Sequence, residues 1–249
     1  MNSDRVDVVV ITKDSERMLE RCLNSVFETV PVNRLIVVDG YSTDRTMDIL
    51  SGFQKKHKNI LVVKDRGTRG SARLKGIRLV ETDWFLFVDS DVTLCDDWFK
   101  KALSHVNGDV GAVWGIEIWD GIQNSILLGL FLQITRRIFE IRGGTHDLLV
   151  RHDAVKDIDI PKTLHVFEDA FIAEWIVKKG FQLVATYDPY CIHYRPPVVW
   201  TFRGSVDIIV DSFKFGSIAK MPKLVMAYGF YAFYVLYRNL FERKFNLKS

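Results

Sequence analysis

Trp84-Phe85-Leu86-Phe87-Val88-Asp89-Ser90-Asp91 is an apolar run of strand composition that ends in two carboxylates one residue apart. Successive Phe, Leu and Val read as a buried strand. Such a strand carries acids only where its end opens into a cleft, because an unpaired charge in an apolar interior is costly. Two aspartates at that mouth are hard oxygen ligands suited to magnesium or manganese, ions whose remaining positions substrate phosphates commonly fill. The same residues also fit a strand followed by a helix, with Asp91 or Asp96 capping the segment around Trp98.

Working outward, Val8-Val9-Val10-Ile11, Leu35-Ile36-Val37-Val38 and Ile60-Leu61-Val62-Val63 are further β-branched runs bounded by polar turns. Between the first two, Met18, Leu19, Cys22, Leu23, Val26 and Phe27 recur at helical spacing. Ser42 or Thr43 can cap the next helix, whose Met47, Ile49 and Leu50 face inward. Strands alternating with helices predict βαβ units, hence an α/β fold with a mostly parallel, Rossmann-like sheet flanked by helices. Ligands in open α/β sheets bind beyond the carboxyl ends of the strands, so Thr12-Lys13-Asp14, Asp39-Gly40 and Asp89-Ser90-Asp91 should converge on one crevice.

At 249 residues the chain can hold one large α/β domain or a core domain with an appended tail. A net charge of +3, with bases scattered among nearly as many acids, does not make a nucleic-acid footprint. Cys22, Cys95 and Cys191 are odd in number and far apart, which fits neither a zinc site nor a disulfide framework and points to core thiols in a reducing compartment. The amino-terminal residues lack the apolar stretch of a secretory signal, so a cytoplasmic location is expected.

Thr12-Lys13-Asp14, Val38-Asp39-Gly40-Tyr41-Ser42-Thr43-Asp44, Gly70-Ser71-Ala72-Arg73, Asp89-Ser90-Asp91, Gly143-Gly144 and Glu168-Asp169 form an ordered set. With this set the chain resembles family 2 glycosyltransferases of the A-type fold, from about Val6 to His193. The ordered set is far more specific than any single member. The resemblance implies a nucleotide-binding half at 1–95 and an acceptor half at 96–195 within a catalytic domain at 1–195. It implies that Asp39 contacts the base of a nucleotide-diphosphate sugar donor, that Thr12 and Asp14 line the same pocket, and that Arg73 sits near the base or diphosphate. Asp89 and Ser90 would lie at the donor, Asp91 would hold Mn2+ or Mg2+, and His193 would stand near the metal, as a further ligand, or near the diphosphate. Asp169, beside Glu168, would be the base that takes a proton from an acceptor hydroxyl, with inversion at the sugar. Gly143 and Gly144 would touch the acceptor or donor sugar. Gly40 stands where the family often has a second aspartate, Tyr41 where it has glycine, and Leu74 where it has asparagine.

The residues also allow plainer readings. Arg73 fits a surface position on a helix with Leu74, Ile77 and Leu79. An acid at 168 or 169 complements the N-terminus of the helix that follows. Paired glycines make ordinary turns, and a lone histidine is often structural.

After Pro196-Pro197 the pattern changes. Leu224 to Tyr237 is uncharged and almost wholly apolar, shorter than the roughly twenty residues that span a bilayer. Extended to 241, with Lys220, Lys223, Arg238, Arg243 and Lys244 around it, it suits a helical extension at 196–249 lying at a membrane surface on the cytoplasmic side. It equally suits a helix buried on the catalytic domain or in a homodimer. Phe202-Arg203 and Lys214-Phe215 could then stand beside a lipid-borne acceptor, and Ile126 to Leu132 could supply a second apolar face. The acceptor is expected to be a glycan or a lipid-linked molecule. Rival expectations are a polyprenyl-phosphate glycosyltransferase, a sugar nucleotidyltransferase and a non-catalytic nucleotide-sugar binder.

Overall fold

The computed structural model describes residues 5–119, 144–164, 166–194 and 202–215, with 225 and 229 singly. Strands β1 (Val6–Thr12), β2 (Val32–Asp39), β3 (Ile60–Lys64) and β4 (Trp84–Asp89) alternate with helices α1 (Leu19–Thr29), α2 (Thr46–Lys56) and α3 (Arg69–Leu79). Beyond them come β5 (Val92–Leu94), α4 (Trp98–Leu103), β6 (Val110–Trp119), β7 (Asp147–Arg151), α5 (His152–Val155), α6 (Glu168–Lys178), β8 (Gln182–His193) and α7 (Phe202–Phe215). The sheet runs β3-β2-β1-β4-β7-β6-β8-β5. The pairings β1–β2, β2–β3, β1–β4 and β6–β8 are parallel, whereas β7 is antiparallel to both β4 and β6, and β5 to β8.

The period of two places alternate residues on opposite faces. Val8, Val10, Leu35, Val37, Leu86 and Val88 join one core, with α1 and α4, while Val9, Ile36, Phe85 and Phe87 join the other, with α3 and α6. Phe85 and Phe87 are fully buried edge to face at 5.0 Å, each worth about 2 to 3 kcal/mol of burial. Burial on both faces explains why these strands read as unbroken apolar runs.

Two expected caps differ. Helix α2 starts at Thr46, later than expected, because Ser42 and Thr43 turn to Asp39 and Asp14. Asp44 accepts from Thr46 N at 2.9 Å in their place. At α4 the cap position belongs to Asp97, in the left-handed region, with no side-chain bond, so neither Asp91 nor Asp96 fills it. The segment 224–241, apart from 225 and 229, lies outside the described residues, as do 126–132 and Gly143. No helix among the described residues is long and apolar enough to cross a membrane.

Candidate active site

The register of β1 with its neighbours sets Thr12 against Asp39, and Ile11 against Asp89, while Asp39 pairs with Lys64. The polar ends of four strands therefore line one sheet edge. The acid at the opposite end of β1, Asp7, is fully buried and satisfied by Arg34 and Asn33, each at 2.8 Å, so it serves the fold.

Asp39 is fully buried. Lys64 Nζ donates to its Oδ2 at 2.6 Å, and the Ser42 backbone N–H and hydroxyl donate as well. Burial opposes its ionisation, but Lys64 and Ser42 outweigh burial and hold the carboxyl below its usual range. Asp14 adopts a left-handed conformation, with φ of 47°, and accepts from Thr43 N at 2.8 Å, bracing two crevice loops together. Tyr41, at φ 60°, exposes its ring beneath the Arg66 guanidinium, 4.4 Å from the centroid. Thr12 is buried, and its hydroxyl has no partner among the described residues. Ser90 Oγ lies 2.9 Å from Ser15 Oγ.

Arg73 is 1% exposed, which excludes the surface reading. One of its nitrogens is ion-paired with Asp89, and its charge lies 5.0 Å over the Phe87 ring. Its Nε and Nη1 are buried without a hydrogen-bond partner among the described residues. Burial would raise the Asp89 pKa, yet Arg73, His193 and His146 pull it down to about 2.

Asp91 and His193 are brought together by β5, which pairs Val92 with His193 across the sheet. Asp91 Oδ2 is 3.1 Å from His193 Nε2. Adjacent positions on an octahedral ion with bonds of about 2.1 Å lie about 3 Å apart, so a carboxylate and an imidazole at this spacing fit a divalent cation. Asp91 retains 38% side-chain exposure, open enough for a phosphate to reach the same ion.

The second acidic centre opens α6. Glu168 is buried, and Asp169 is half-buried with Oδ1 accepting from Ala170 N at 2.7 Å. Burial first and the neighbouring Asp169 charge second push Glu168 up to about 7, against the opposing charges of Arg73 and Arg69. Gly144 joins this centre to the first: a Cβ there would stand 3.6 Å from Asp169 Oδ2 and 2.9 Å from His146 Cδ2. Only glycine leaves that gap.

Four residues at this edge escaped the sequence reading. Lys64 ends its strand as Asp39 and Asp89 end theirs, and the strand-end rule covers it. Glu117 interrupts the apolar run of β6, the same signal that singled out Asp89. His146 and Asp147 follow the paired glycines directly, and their histidine-acid pairing was the available signal.

Residues 7–125 match the model of glycosyl transferase family 2. A poly(ribitol-phosphate) beta-glucosyltransferase of Bacillus spizizenii is 34% identical over 93 residues, covering 35% of this chain and 15% of that protein. The chain spans less than half the length of the curated relatives it matches. The mannosyltransferase PcManGT of Pyrobaculum calidifontis, solved with GDP-Man and Mn2+, superposes with a TM-score of 0.66 at 19% identity, over 84% of this chain and 63% of that one. Staphylococcal TarS 1-349, from S. aureus and solved with UDP-GlcNAc, gives 0.60 at 18% identity, over 90% and 71%. Over residues 7–125 the chain is thus similar to glycosyl transferase family 2, and its fold is similar to those of solved glycosyltransferases.

Proposed function

We propose that the protein transfers a sugar from a nucleotide-diphosphate sugar to a hydroxyl acceptor, with inversion, assisted by Mn2+ or Mg2+. The observation that carries this reading is the pair of centres at one sheet edge: Asp91 and His193 3.1 Å apart, and Asp169 beside Gly144. Thr12, Asp14, Asp39, Arg73, Asp89 and Ser90 bind the donor. The orphaned hydroxyl of Thr12 and the two spare donors of Arg73 are buried groups that a nucleotide diphosphate would satisfy. A divalent ion held by Asp91 and His193 supplies positive charge to the departing diphosphate when bound.

Asp169 takes the proton of the acceptor hydroxyl as that oxygen bonds to the anomeric carbon and the bond from carbon to phosphate oxygen breaks. The electron pair leaves with the diphosphate, and attack from the opposite face inverts the centre. Oδ1 is engaged by Ala170 N, so Oδ2, on the Gly144 side, receives the proton. Glu168, protonated below about pH 7, keeps a second negative charge from building up beside that base. Gly143 and Gly144 border the acceptor.

The domain at 1–195 performs this reaction, and the extension at 196–249 brings it to a membrane surface on the cytoplasmic side, where a lipid-linked or growing glycan waits. The uncharged apolar run of 224–237 supports that placement, and it also favours a second reading, transfer to a polyprenyl phosphate. A phosphate acceptor is already ionised and needs no base. Turnover of Asp169→Asn separates the two: for a hydroxyl acceptor, kcat falls by about 10²- to 10⁴-fold with donor affinity retained. Near wild-type turnover would overturn the base role and leave the phosphate acceptor standing.

A further inference from the structure

Behind the proposed ion site the sheet order β7-β6-β8 lines up a file of polar side chains that runs into the core. Glu117 of β6 registers with Cys191 of β8, and Trp119 with His193, so Glu117 and His193 share a face two residues apart. Glu117 Oε1 lies 3.3 Å from His193 Nδ1, on the opposite side of the ring from Asp91. Glu117 Oε2 lies 3.9 Å from His146 Nε2, whose Nδ1 is 2.7 Å from Asp147 Oδ1. Asp147 Oδ2 accepts from Trp98 Nε1 at 3.0 Å. Side-chain exposure is 38% at Asp91, 12% at His193, 17% at Glu117 and 10% at His146, and Asp147 is fully buried. Gly115 makes the inner end possible, since a Cβ there would meet Asp147 Oδ2 and the Pro189 carbonyl oxygen, each at 2.5 Å.

Two imidazole nitrogens do different work only if something fixes which one carries the proton. A carboxylate accepting from one ring N–H sets the tautomer and the ring plane and leaves the other nitrogen's lone pair for a cation. We propose that Glu117 is the positioning residue for His193: it accepts from Nδ1–H and so presents Nε2 to the divalent ion beside Asp91, with His146 at ion-pair distance from its other oxygen. This rests on the reading of Asp91 and His193 as ligands to that ion.

His146, Asp147 and Cys191 also bring ligand atoms within 4.8 Å of one another. Their side chains contact one another and Trp98. Asp147 engages His146 Nδ1 through one oxygen and Trp98 through the other, and the Cys191 sulfur approaches that same nitrogen at 3.4 Å.

The test is Mn2+ titration of the full chain in the presence of saturating UDP, or GDP if UDP does not bind, with free Mn2+ read by electron paramagnetic resonance. Glu117→Met is expected to weaken Mn2+ binding by about 10- to 100-fold, and Glu117→Gln, which keeps an acceptor, by less. Metal-free nucleotide affinity and the melting temperature would stay near wild type, as a general structural defect would not allow. If Asp91→Ala abolishes Mn2+ binding while both Glu117 variants bind as wild type does, the positioning role is overturned and the ion site survives. Mn2+ binding that is absent from wild type, or indifferent to Asp91→Ala, overturns the ion site and this inference with it. Should Glu117→Met fail to fold, Glu117→Gln decides: unchanged Mn2+ affinity refutes the role.

Discussion

Cations depress the pKa values of Asp39 and Asp89 at the ends of the parallel strands β2 and β4, whereas burial raises those of Asp147 on β7 and Glu168 on α6. In the first set, Asp39 and Asp89 lie against Lys64 and Arg73, and those cations hold them ionised despite burial. In the second, burial pushes Glu168 and Asp147 up, and Glu168 reaches about 7. One side of the crevice is thus fixed in charge across the physiological range, as nucleotide binding requires. On the other, Glu168 exchanges its proton near neutrality.

Breaking the fixed side should have the largest effect. Asp89→Asn leaves Arg73 buried without its counter-charge and is expected to cost about 2 to 3 kcal/mol at pH 7, read from the denaturant midpoint. The folded pKa of about 2 lies below the ordinary 3.8, so this contribution is complete above 3.8 and fades as pH falls toward 2. The gap between wild type and variant should close over that window. A gap that persists at pH 2 would mean that Arg73 and Asp89 do not form a charge pair.

The exchangeable side should respond in the other direction. Glu168 has a folded pKa of about 7, above its ordinary 4.5, so its stabilising protonated form is complete below 4.5 and is lost as pH rises through 7. Glu168→Gln mimics that form and is expected to stabilise the protein by about 2 kcal/mol at pH 8 and by almost nothing at pH 4, while lowering turnover. Equal effects at the two pH values would erase the contrast between the halves.

The smallest effect is expected at Lys64. Lys64→Met removes one of several donors to Asp39 and should cost about 1 kcal/mol at pH 7, since the lysine is a third exposed and Ser42 still donates. Asp39 is depressed in the fold, so the loss is full above 3.8 and vanishes below it. Urea denaturation at pH 7 and pH 3 measures both values.

The same division governs what could be read in the sequence. The first four strands, their helices and the crevice at their carboxyl ends were legible because each is a local, doubly buried element with an acid or threonine at its end. Asp89 and Asp91 stood out for that reason. The mixed half depends on pairings between residues far apart in the chain. Asp91 meets His193 only because β5 returns to β8, and Glu117 meets His193 only because β6 lies between β7 and β8. No period or spacing carries that information. Arg73 was ambiguous on its helix because its environment comes from Phe87 and Asp89 on the sheet, not from its own neighbours in sequence.

The central claim is that the crevice binds a nucleotide diphosphate through an ion held by Asp91 and His193. Calorimetric titration of UDP and GDP into wild type and Asp91→Ala, with and without Mn2+, tests it most directly. The account predicts binding of one nucleotide that Mn2+ strengthens at least about tenfold in wild type, with that gain absent from Asp91→Ala. Binding that is equally tight without metal, or an unchanged Mn2+ gain in Asp91→Ala, would contradict it.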